Sequence, residues 1–127
     1  MNNREEIILS PLEHTWIIDL DGTIVKHNGY KLNGYDILLE GAKSFIDSIP
    51  ENDMIIFLTA RNIKFKEQTE IFLRNNKIRY NYILFDIPYG ERIILNDNKP
   101  SGLEMGIAYN KQRDSSLFPR ITINQNL

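Results

Sequence analysis

In the stretch TWIIDLDGTIV, residues 15–25, an apolar run delivers two aspartates one residue apart, Asp19 and Asp21, into Gly22 and Thr23. On an extended chain residues i and i+2 point to the same side, and two carboxylates held that close repel each other. A divalent cation relieves the repulsion. All-oxygen ligands are hard and suit magnesium, which binds one or two carboxylates together with a substrate phosphate. Two later apolar runs also end on polar residues: MIIFL on Thr59, and RIILN on Asp97, a natural further ligand. Gly22 lets the backbone approach an anion, and N–H groups in such a turn can cradle phosphate. A calcium loop needs an acid at its fifth position and a glutamate at its twelfth, where this chain has Thr23 and Tyr30, so that alternative fails. The blandest alternative is a turn, since Asp-Gly is a turn signal by itself.

The elements that must position these groups are legible as alternating periods. TWIID is short, continuous and apolar, the pattern of a strand buried on both faces. Residues 26–38 hold Asn-Gly twice and predict a turn-rich excursion, a small hairpin or flap. Ala42, Phe45, Ile46 and Ile49 form the stripe of an amphipathic helix that Pro50 ends. MIIFLTA predicts a second strand. Residues 62–77 predict a helix with Asn62 as N-cap and Asn75-Asn76 at its end. YNYILF predicts a third strand, RIILND a fourth and GIAYN a fifth, and Ile121 and Ile123 alternate as an edge strand would. Strand–helix alternation implies right-handed crossovers and a mostly parallel sheet with helices on both faces. Ligands then bind beyond the carboxyl ends of the strands, which is where Asp19, Asp21, Thr59 and Asp97 fall.

The 127 residues suit one domain, 1–127. The composition, 42% hydrophobic and 25% charged, argues against disorder. A net charge of -2 gives no basic footprint for nucleic acid. No cysteine is present, which removes disulfides, thiolate metal sites and cysteine nucleophiles. No apolar run approaches the roughly 20 residues of a membrane span, and the N-terminal stretch lacks the apolar region of a secretory signal. The expected location is therefore the cytoplasm.

Taken together, DLDGTIV after an apolar strand, FLTAR at the end of the next, and GERIILNDNKPSG resemble the haloacid-dehalogenase (HAD) superfamily of phosphohydrolases. The chain is most similar to its small, nearly capless members associated with bacterial surface (capsular) polysaccharide. The resemblance covers residues 15–110. It implies an α/β, Rossmann-like HAD fold with a flap over residues 24–38, no full cap domain, and a tail over residues 111–127. It implies magnesium-dependent hydrolysis of a small phosphate monoester, a sugar, polyol or amino-alcohol phosphate, through an aspartyl-phosphate. Asp19 would be the nucleophile and Asp21 the general acid and base. Magnesium would sit on the Asp19 carboxylate, the Asp21 carbonyl and Asp97. Thr59 and the N–H groups of Leu20 and Ala60 would bind the phosphoryl group, with Gly22, Thr23 and Asn98 beside the substrate. Most relatives carry a lysine in a helix before the fourth strand. Here the connection is the loop DIPYGE, and Arg92 or Lys99 would fill that role, Arg92 ahead and Lys77 a distant third. Asn96-Asp97 stands where many relatives have two acids.

Other residues divide between roles and plain structure. His27 either touches substrate or is an exposed loop residue. Arg61 either binds a substrate anion or pairs with an acid. Trp16 reads as core, and Lys64, Lys66, Glu67 and Glu70 as a solvated helix face. The flap leaves the site open unless another subunit covers it, so the expected partners are a small phosphorylated metabolite and a possible homo-oligomer, without nucleic acid or membrane. The rival readings are a phosphotransferase or protein phosphatase of the same fold, and a catalytically weak binding domain. Retention of both Asp19 and Asp21 argues against the last.

Overall fold

Thr15–Asp19 forms strand β2, which pairs in parallel with β3 (Met54–Leu58), and β3 pairs in parallel with β4 (Tyr82–Leu84). The computed structural model describes residues 5–127; residues 1–4, part of the expected 1–127 domain and of the N-terminal stretch, lie outside the described residues. A second, two-stranded sheet joins β1 (Glu6–Leu9) to β5 (Arg120–Ile123), also in parallel. The chain is thus α/β with parallel strands in open sheets, compatible with a Rossmann-like arrangement. No helix among the described residues is long and apolar enough to cross a membrane.

The helices fall where the apolar stripes place them. Helix α2 (Ala42–Ser48) buries Ala42, Phe45 and Ile46, and the extended backbone at Ile49 ends it before Pro50. Asn62 accepts from the Lys64 N–H (2.9 Å) and opens a 3-10 turn, Ile63–Phe65, that runs into α3 (Lys66–Asn75). Both helices pack on one face of the sheet. Ile18, Ile55 and Phe57 of that face share one buried cluster with Phe45, Ile46 and Leu73. This corrects the expectation of helices on both faces. The order β2-β3-β4 always steps in the same direction, and right-handed crossovers then put both helices on the same side. Each fully buried Ile, Leu or Phe of this layer contributes about 1.5–3 kcal/mol.

The opposite face is bare. Ile17, Met54, Tyr82 and Leu84 are exposed, so β2 is not covered on both faces. The expected fourth and fifth strands, RIILND and GIAYN, are absent: residues 91–110 form no regular structure and are mostly exposed. They make an arm. Its turn is closed by Lys99 N–H to the Leu103 carbonyl (2.9 Å) and Gly102 N–H to the Lys99 carbonyl (2.8 Å). Strand propensity in this segment is real, but a strand exists only through pairing, and among the described residues the arm pairs with no sheet edge.

The excursion has a hairpin stem, as expected, with Lys26 N–H bonded to the Ile37 carbonyl and Leu39 N–H to the Ile24 carbonyl (both 2.9 Å). Its tip is instead one helical turn, α1 (Gly29–Leu32), which buries Tyr30. The C-terminal segment is more than a tail. Phe118 stacks on Phe45 (5.2 Å) within the core, and a side chain at Gly41, where φ is +85°, would meet the Phe118 ring at 3.3 Å.

A polar clamp fixes the start of β2. Asp53, 4% exposed, accepts from the His14 N–H (3.0 Å), His14 Nδ1 (2.8 Å) and Trp16 Nε1 (2.9 Å). Burial pushes the Asp53 carboxyl up, but the bonds from Trp16 and His14 outweigh it and hold the group below the usual aspartate value. A carboxyl depressed in the folded state adds stability above its unfolded pKa, about 3.9, that is lost as pH falls through the folded value. Asp53→Ala should therefore cost about 1–3 kcal/mol in urea unfolding at pH 7, because buried donors lose their acceptor. The gap to wild type should narrow below about pH 4. A gap independent of pH would mean that packing, not the charge, carries the effect.

Candidate active site

Asp19 is the last residue of β2, and the chain then turns tightly on itself. Leu20 extends the sheet by one rung, its N–H donating to the Leu58 carbonyl (3.0 Å). Its carbonyl accepts from Ile24 and Val25 (3.0 and 3.1 Å), and Gly22 N–H donates to Val25 (2.7 Å). Leu20 and Ile24 are wholly buried and anchor the turn. Gly22 has φ +86°, which strains any other residue, and a side chain there would come within 3.2 Å of Arg113. The turn presents Asp19 and Asp21 together to a cleft of about 880 Å³, within the roughly 300–1,000 Å³ of small-molecule sites.

The two carboxylates are held differently. Asp19 is more than a third exposed; Oδ2 accepts from Thr23 Oγ1 and Oδ1 from Arg92 Nη1, both at 3.0 Å. Asp21 is more enclosed and is immobilised. Its Oδ2 accepts from Thr59 Oγ1 (2.7 Å), and its Oδ1 from Arg61 Nε (3.0 Å) and Nη2 (2.9 Å).

Arg61 is the hub of this end of the sheet. It is buried, its fork grips Asp36 (2.6 and 2.9 Å), Nη1 also donates to Thr69 Oγ1 (2.9 Å), and the guanidinium lies on the Tyr30 ring at 4.0 Å. With the two bonds to Asp21, all five of its N–H groups are used. Burial opposes its charge, but Asp36 and Asp21 more than compensate and raise its pKa. Of the two readings of Arg61, pairing with acids is the one the geometry gives. Asp36, its main partner, carried no signal in the sequence beyond an acid in an apolar context.

Several expected contacts are redirected. The N–H groups of Leu20 and Gly22 serve the sheet and the turn, so neither is available to a phosphate. The Thr59 hydroxyl is buried against Asp21 and does not line the cleft; it positions a carboxylate rather than a phosphoryl group. The Ala60 N–H carries no hydrogen bond among the described residues, and Ala60, Gly22, Thr23 and His27 line the cleft. Of the two basic candidates, Arg92 reaches Asp19 and Lys99 does not reach the cleft. Asp97 and Asn98 ride on the arm and also lie outside it. Among the described residues no three acidic or histidine side chains gather to hold a metal ion. Among the described residues a magnesium ion would meet the Asp19 carboxylate and the Asp21 backbone, and Asp97, the expected further ligand, does not reach them.

The cleft is cationic despite the chain's net charge. Lys31, Arg61, Lys64, Arg92, Lys111 and Arg113 line it, against Asp19, Asp21 and Asp86. Lys111 and Arg113 come from the C-terminal segment, which no motif marked. Asp114 fastens that segment to the turn: its N–H donates to the Gly22 carbonyl and its carboxylate accepts from the His27 N–H, both at 2.8 Å. Burial lowers the Lys111 pKa, opposed in part by Asp114. The His27 ring nitrogen Nδ1 is buried without a hydrogen-bond partner among the described residues. Such an orphan costs about 1–3 kcal/mol.

Compared with family models, with curated proteins and with solved structures, the chain has no match in any of the three.

Proposed function

We propose that this protein is a phosphatase of the haloacid-dehalogenase type that hydrolyses a small phosphate monoester through a phosphate carried on Asp19. The observation that carries the reading is an accessible Asp19 carboxylate in a cationic cleft, with a second carboxylate, Asp21, fixed two residues on. An Asp19 oxygen attacks phosphorus, the phosphorus–oxygen bond to the alcohol breaks, and Asp21, which enters this step protonated and turned from Arg61 toward the cleft, gives the leaving oxygen its proton. A water then attacks the acyl phosphate, Asp21 takes a proton from it, and inorganic phosphate and the Asp19 carboxylate are released. Arg92 and the surrounding lysines stabilise charge that grows on the phosphoryl oxygens. An open cleft without a large cap fits a small ester such as a sugar, polyol or amino-alcohol phosphate, in keeping with a role in surface carbohydrate.

A phosphate-release screen over sugar, polyol and amino-alcohol phosphates, run with and without magnesium, tests the reading. Release of phosphate from at least one class is expected. Folded protein that releases none from any ester, while still binding inorganic phosphate, would make it an anion-binding domain.

A further inference from the structure

The C-terminal segment brings to the cleft a cation that no acid of the chain neutralises. Arg113 lines the cleft, is exposed, and makes no ion pair or hydrogen bond among the described residues. Its stem lies across the aspartate turn: a Cβ at Gly22 would stand 3.2 Å from Arg113 Cγ and 3.8 Å from Nε. Gly22 separates Asp21 from Thr23, whose hydroxyl holds Asp19. Arg113 therefore crosses the turn that presents both carboxylates, and it bonds to neither. Three attachments fix the segment. Asp114 N–H donates to the Gly22 carbonyl and the Asp114 carboxylate accepts from the His27 N–H, both at 2.8 Å, and Phe118 stacks on Phe45 in the core. Asp114 is the one acid in residues 111–118, and it is spent on that backbone bond.

The charges of the cleft show what is left over. Arg61 is consumed by Asp21 and Asp36, and Arg92 sits on Asp19. Of the other lining residues, Lys31, Lys64 and Lys111 stand against the single carboxylate of Asp86, leaving two positive charges. A phosphoryl group carries about −1.5 to −2 at neutral pH, so the lysines match it. Arg113 is then in excess by a full charge. Its guanidinium is a planar fork suited to bidentate bonding with a carboxylate or a phosphate.

We infer that Arg113 binds a second anionic group of the substrate, a carboxylate or a further phosphate. The preferred ester is then a phosphorylated sugar acid or a bisphosphate. An amino-alcohol phosphate is disfavoured, because its ammonium would meet the surplus cation. The cleft, about 880 Å³, has room for more than a phosphoryl group. The choice of ester rests on the phosphatase reading; the anion site at Arg113 does not.

Matched esters, assayed for phosphate release with magnesium present, test the inference. Phosphoglycerate against glycerol phosphate probes a carboxylate, and fructose bisphosphate against fructose monophosphate probes a second phosphate. In at least one pair kcat/KM should favour the two-anion ester by about 10–100-fold, the worth of a charged hydrogen bond. Phosphoethanolamine should be the poorest ester of the set. Arg113→Gln should remove most of the preference, and Arg113→Lys should keep part of it, since the charge stays and the fork goes. No preference in either pair, a preference that survives Arg113→Gln, or an equal loss on every ester would overturn the inference; the last would mean that Arg113 only draws anions in general. Calorimetric titration with the same pairs covers a chain that hydrolyses nothing. Tighter binding of a two-anion ester, lost in Arg113→Gln, would then uphold the anion site and remove the phosphatase reading. Equal binding within both pairs by such a chain would remove both.

Discussion

Asp19→Asn should abolish phosphate release, and Asp21→Asn should instead trap a phosphate on Asp19. The amide at position 19 is a poor nucleophile, so neither phosphoenzyme nor product should form. At position 21 an amide keeps the shape of the carboxylate: its oxygen can still accept from Arg61 and its nitrogen can meet the Thr59 hydroxyl, which also accepts. What it loses is proton transfer, typically worth about 10²–10⁴-fold. With an aryl phosphate, whose leaving group needs little protonation, the first step should survive better than the second. The expected product is a hydroxylamine-labile mass increase on the peptide containing Asp19. Turnover by Asp19→Asn, or phosphate mapped to another residue, would end the mechanism given above.

Arg61→Ala should be the most damaging single change to stability. Its removal leaves Asp36 buried without its fork and frees Asp21 on one side. Breaking a buried ion pair by deleting one partner costs about 3–5 kcal/mol. Arg61→Lys should recover little, because an ammonium cannot hold Asp36, Thr69 and Asp21 from one planar fork. Adding Asp36→Ala to Arg61→Ala should restore part of the loss, since the stranded charge goes with it. Urea unfolding at neutral pH measures all three. A loss below about 1 kcal/mol for Arg61→Ala would show that the network behaves as an exposed ion pair does.

Local pattern located what local physics determines. The apolar stripe of residues 42–49, the Asn62 cap and the run TWIID each match an observed element, because propensity, periodicity and tertiary packing agree there. The adjacency of Asp19, Asp21 and Thr59 followed from strands ending at one edge. Sequence could not reveal that the Thr59 hydroxyl and the Leu20 N–H would be spent inside the protein, since both depend on partners about 38 residues away. Asp36 gave no signal because its meaning lies wholly in Arg61. The runs RIILND and GIAYN were misread for a different reason. Apolar composition favours a strand, and it does not supply the neighbouring strand that a strand needs.

The ladder between β1 and β5 joins Glu6 to Arg120, 114 residues apart. Closing a loop of that length costs about 4 kcal/mol of chain entropy by the usual logarithmic law, before any contact made by the ladder repays it. Contacts so distant slow folding. They also set an order during synthesis: β2, β3, β4 and their two helices are synthesised before Arg120–Ile123 exists, so Glu6–Leu9 must wait, unpaired, for its partner. At about 5–20 residues per second, that wait lasts about 6–23 seconds, during which Glu6–Leu9 is an unpaired strand.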